Sequence, residues 1–180
     1  MTTVMVKTRE QWLNDYVDEL RPLFEQALHA LPKDIRVSVG WPSKRGLPNK
    51  QGKPRTIGEC WHKGMDDGIP QIFLSPMLNG IELGHVLVHE LCHAVTPGSQ
   101  HSGAFITAIR ILGLEGKPTS THAGENLKSK LEGIITKIGE YPHVILSPKV
   151  EQKDVGRLLK IICQCDGPRI LRLSKKVIEQ

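Results

Sequence analysis

The stretch HELCHAVTPGSQHSGAF, residues 89–105, places three histidines and a glutamate where they could share one chemistry. On a helix, His89 and His93 stand one turn apart, so their rings project side by side and can converge on one tetrahedral ion at about 2.0–2.1 Å from each nitrogen. Glu90 is turned by about 100° from His89 and about 60° from His93, which sets it beside such an ion without ligating it. That is the placement of a general base acting on a metal-activated water, and H-E-x-x-H is the pattern that joins these roles. A catalytic zinc site wants three protein ligands and an open position. His101 is the expected third ligand, because Thr96-Pro97-Gly98 ends the helix and lets the chain fold back, while Phe105, Ile109 and Leu112 anchor the helix that follows. Glu115 and Glu125 are rival third ligands, as in sites with two histidines and a glutamate. His85 cannot share an ion with His93, since the intervening two turns span about 12 Å. It is expected beside the site or on the surface.

The elements that must carry these residues can be read from periodicity. In IELGHVLVHELCHAVT the apolar residues cover most of the helix circumference, and the polar ones, Glu82, His85, His89, His93 and Thr96, form one narrow stripe. A buried helix with a stripe of imidazoles needs partners for them. Upstream, Thr8 and Gln11 have the spacing of a capping box, and apolar residues from Trp12 to Leu31 recur at helical spacing, with a bend expected at Pro22. IRVSVGW (35–41), RTIGECW (55–61) and QIFLSP (71–76) read as three antiparallel strands, and helices are expected over 81–95, 102–112 and 124–139. The edge of QIFLSP, just before the histidine helix, is the expected seat for an extended peptide. The order of helix, strands and helices implies an α+β fold. The expected organisation is a main domain over 1–140, a linker over 141–156 and a short hairpin within 157–180.

Charge and cysteines bound the setting. The 180 residues carry a formal net charge of +5, with Lys44, Arg45, Lys50, Lys53 and Arg55 in a stretch free of acids and more cations in the tail from Lys149. Such clusters suit either a pair of solvated loops or a surface facing a polyanion. Cys60 and Cys92 sit alone in apolar segments and are expected as core thiols. Cys163 and Cys165 are too close for an easy bridge, so reduced thiols are expected throughout. No segment approaches the roughly 18 consecutive apolar residues of a membrane span, and the first residues lack a secretory apolar region. A soluble, cytoplasmic protein without membrane contact is expected.

HELCHAV followed by HSGAF resembles the active-site region of SprT-like metallopeptidases, the Spartan-related family that cleaves proteins crosslinked to DNA. His89, His93 and His101 match that family's zinc ligands and Glu90 its catalytic glutamate. IGECW and GIPQIFLSPML look like the strands that precede the active helix in phage and bacterial members, so the similarity spans residues 55–138. The interval from His93 to His101 is shorter than in Spartan itself, and Ser102 follows His101 where the family often has Gly. In the tail, CQCDGP resembles half of the family's zinc ribbon, and four ligands are needed for a structural zinc. The resemblance implies a zincin-like domain followed by a degenerate or truncated ribbon.

Residues and resemblance together predict a zinc-dependent endopeptidase that uses Glu90 as general base, takes a protein or peptide substrate and has DNA as a second partner. The alternative is a non-catalytic zinc-stabilised DNA-binding or structural protein, in which a fourth protein ligand would close the site. His122, His143 and Tyr141 are candidate donors to a tetrahedral oxyanion, set against ordinary loop positions.

Overall fold

Thr8 starts the first helix by exchanging hydrogen bonds with Gln11. Its hydroxyl accepts from the Gln11 amide at 3.1 Å, and the Gln11 side chain accepts from the Thr8 amide at 2.8 Å. Helix α1 (Arg9–Gln26) runs unbroken through Pro22 and buries Trp12, Leu13, Tyr16, Val17, Leu20 and Phe24. The computed structural model describes residues 7–27, 30–43, 56–62, 67–146, 158–164, 166–167, 169–173 and 178. The basic stretch Lys44 to Arg55, Cys165, Lys175 and Lys176 lie outside them.

Three short strands follow, β1 (Arg36–Val39), β2 (Gly58–Trp61) and β3 (Gln71–Leu74), in the spatial order β1-β3-β2. The expected all-antiparallel sheet is corrected here. β2 is antiparallel to β3, but β1 is parallel to it, with Val37 opposite Ile72. A parallel pair needs a long crossover, and the chain from β1 out to β2 and back supplies one, so the last strand of the three inserts in the middle. QIFLSP is therefore a central strand with both edges bonded. Among the described residues, the open edge on that side belongs to β2.

Helix α2 (Gly80–Val95) crosses this sheet and packs also on α4 (Glu125–Ile138) and on α3 (Ala104–Ile111). Leu83, Leu87, Val88 and Leu91 are fully buried along it. Gly84 permits the close approach to α1 and α4, because a Cβ there would stand 3.1 Å from Tyr16 Cζ and 3.4 Å from Leu131 Cδ1. Between α3 and α4 lies an antiparallel hairpin, β4 (Leu114–Lys117) and β5 (Ser120–Ala123), which periodicity does not reveal. Arg110 of α3 fixes it, donating to the Leu114 carbonyl at 2.7 Å and to that of Gly116.

The compact unit that contains these elements runs from Met1 to Pro148, and a second comprises Lys149–Gln180. Within the first unit, Tyr141 meets the Trp12 ring edge-on at 5.2 Å, and the Leu146 amide donates to the Pro76 carbonyl at 2.9 Å. The second unit holds an antiparallel pair, β6 (Leu159–Ile162) and β7 (Ile170–Leu173), with Lys160 opposite Arg172. Cys60 and Cys92 are free, but Cys163 is disulfide-bonded, which corrects the expectation of reduced thiols throughout. A sulfur in a disulfide is no thiolate ligand. Among the described residues, no helix is long and apolar enough to cross a membrane.

Candidate metal centre

His89, His93 and His101 come together although they lie on two different kinds of backbone. The first two project from adjacent turns of α2. The third lies in the reversal between α2 and α3. Thr96 ends α2, its hydroxyl donating to the Cys92 carbonyl at 2.7 Å, and three further turns are closed by the Ser99, Ser102 and Phe105 amides. Gly98 at φ 86° and Gly103 at φ 52° supply the left-handed backbone that this sharp return requires. The result is a group of three imidazoles whose ligating nitrogens all lie within 4.8 Å of one another. Neither Glu115 nor Glu125 joins the group: Glu115 sits on β4, 3.7 Å from His122, and Glu125 opens α4.

The donor set fits a metal ion. Burial depresses the basicity of His93 to about 3 and that of His89 to about 4, with neighbouring histidines adding to the effect, and burial also lowers His101. The imidazoles are thus held neutral, the form that ligates. His89 Nδ1 lies 2.8 Å from Thr121 Oγ1 of β5, leaving its Nε2 for the group. Phe105 forms the apolar floor: it stacks on His93 at 4.1 Å and 18°, and meets His89 and His101 edge-on at 5.1 and 5.2 Å. Among the described residues, no fourth His, Cys, Asp or Glu completes the group. Three protein ligands with an open position are the arrangement of catalytic zinc sites, and four protein ligands that of structural ones.

Glu90 is 6 % exposed and lies against β2. A Cβ on Gly58 would stand 2.5 Å from Glu90 Oε1 and 2.7 Å from Val86 Cγ1, so the strand can approach the helix there only because residue 58 has no side chain. Burial pushes the Glu90 carboxyl up to about 8, and the nearby Glu59 carboxylate adds to the rise. A cation in the imidazole group opposes both effects. Burial likewise raises the Cys60 thiol to about 12 and that of Cys92 further, so both stay protonated and inert.

A cleft of about 720 Å³ opens over the group, with β2 on one wall and the turn of the β4–β5 hairpin on the other. His85 lines it beside His89 without entering the ligand group. His62, Glu59, Gly58 and Thr121 are the residues that sequence reasoning missed. A glycine inside RTIGECW was a signal for close backbone approach, whereas Thr121 is four-residue-strand polar sequence with nothing to mark it. His62 Nε2 accepts from the Gly98 amide at 3.3 Å, tying the end of β2 to the reversal that carries His101. His122, His143 and Tyr141 do not line the cleft. No protein-family model, no curated protein and no solved structure matches the chain.

Proposed function

We propose that this chain is a zinc-dependent endopeptidase of the SprT-like, zincin kind. The observation that carries the reading is the set of three imidazoles whose nitrogens lie within 4.8 Å of one another, with the buried Glu90 lining the same cleft. Imidazole suits several transition metals, and H-E-x-x-H with a third histidine favours zinc among them. Zinc held there supplies a Lewis acid that polarises a carbonyl and makes water nucleophilic near neutral pH.

The chain's own residues do the rest. Glu90, ionised, takes the proton of the attacking water and delivers it to the leaving amine as the C–N bond breaks. The bare backbone of Gly58 leaves room for its carboxylate against β2. The open edge of β2 offers backbone donors and acceptors to an extended peptide running along the cleft. This seat replaces the one expected on QIFLSP, whose edges are taken. A narrower form of the proposal has the enzyme act on DNA-associated proteins, supported by exposed Lys160, Arg169 and Arg172 in the second unit.

The test compares the wild type with Glu90→Gln and with the double substitution His89→Ala/His93→Ala. Wild type and Glu90→Gln should each carry about one zinc per chain by elemental analysis, and the double variant should lose it. Glu90→Gln should cleave an unstructured polypeptide at least ~10²-fold more slowly, the low end for loss of a general base. Equal activity in wild type and Glu90→Gln overturns the reading.

A further inference from the structure

We infer that Thr121 is a positioning residue for the metal centre, its hydroxyl fixing which nitrogen of His89 is free to ligate. The inference rests on the metal reading above and concerns a residue outside the H-E-x-x-H segment. Thr121 Oγ1 lies 2.8 Å from His89 Nδ1 across a sequence separation of 32 residues. A neutral imidazole carries a single N–H. With Nδ1–H donating to the threonine oxygen, Nε2 presents its lone pair to the ion, and the ring cannot rotate about its stem without breaking the bond. Among the described residues, no other residue bonds a ring nitrogen of His93 or His101. His89 is the ligand whose orientation is set from outside the group.

The support for Thr121 is itself braced. β5 packs on α2, its partner β4 is held through Arg110 to α3, and the Gly124 amide closes the end of the hairpin on the Gly113 carbonyl at 2.9 Å. The hairpin thus delivers one hydroxyl to the back of a ligand while its turn walls the cleft. A side chain that merely filled space would serve equally well as valine. A hydroxyl acceptor would not.

The experiment measures zinc affinity of the full chain by competition with a chromophoric chelator, using zinc alone as the probe. Thr121→Val should weaken zinc binding about 10–100-fold, the usual cost of losing an outer partner of a ligand, and Thr121→Ser should restore it. In a His89→Ala background, Thr121→Val should change nothing more, because the ring it orients is gone. Equal zinc affinity in wild type and Thr121→Val overturns the inference, as does an equal loss in both backgrounds, which would mean that the substitution acts through the fold. Thr121→Ala serves the same comparison should valine prevent folding, with metal-free melting as the control. If His89→Ala alone leaves zinc binding intact, the metal reading fails instead, and that result is separate from any effect at Thr121.

Discussion

The carboxylate of Glu90 is held by what residue 58 lacks. A methyl group there would overlap both Glu90 and Val86, and the Glu90 carboxylate, at the end of a flexible side chain, is the part that can move. Gly58→Ala is therefore expected to push Glu90 out of line while the imidazoles keep their places. Zinc content should be unchanged by elemental analysis, stability should fall by about 1–3 kcal/mol, as for overpacking elsewhere, and proteolysis should drop more than the stability loss explains. A Gly58→Ala variant with wild-type turnover would show that Glu90 has more freedom than its contacts imply. The histidines were legible in the sequence for a plain reason: spacing on one helix fixes which side chains share a face. His101 was legible because Gly98 and Pro97 announce a reversal. Glu59 and His62 were not, since their approach depends on how far β2 lies from α2, a distance that no local pattern encodes.

At the scale of elements, the β4–β5 hairpin is the part whose loss would be felt at the site without touching a ligand. Its strands are four residues each and largely exposed, and two-stranded pairs of this kind are marginal in water without outside support. Arg110 provides that support through two main-chain carbonyls. Arg110→Met should keep the aliphatic packing and remove both bonds. Amide hydrogen exchange over residues 114–123 should then speed up at least several-fold while α1 and α4 remain protected, and zinc affinity should fall through Thr121. Unchanged exchange in the hairpin would place its anchor elsewhere. The same weakness explains why sequence reading passed over this hairpin, for short polar strands carry no alternation strong enough to see. Helices were easier: α1 was announced by Thr8 and Gln11, and α2 by its wrapped apolar surface. Strand order was the harder matter. β3 looks like an edge in sequence because it comes last, yet the long excursion from β1 lets it return to the centre.

For the molecule as a whole, charge is distributed by unit. Among the described residues no Lys or Arg lines the cleft, although the chain carries a net +5. In the second unit, Lys160 and Arg172 stand directly opposite on neighbouring strands, where like charges repel each other unless an anion lies between them. Contact with DNA, which we propose alongside proteolysis, should therefore be phosphate-driven and weakly selective. Binding measured by titration should fall by orders of magnitude between about 50 and 200 mM salt, and Lys160→Gln with Arg172→Gln should reduce the slope of log affinity against log salt by about 2. Absence of binding to single- and double-stranded DNA at the lower salt removes this partner and leaves the protease reading untouched.

The tight return between α2 and α3 also bears on the order in which the centre forms. All three imidazoles fall within residues 89–101, so bringing them together closes only short loops, whereas the bond from His89 to Thr121 spans 32 residues. Relative to the interval from His93 to His101, that is two doublings of loop length, about 1.2 kcal/mol of additional closure entropy at ~0.6 kcal/mol for each. Contacts between near neighbours in the chain form earlier than distant ones. The helix and its return can thus draw the three imidazoles together as a nascent local structure, and the docking of the hairpin onto His89 comes afterwards.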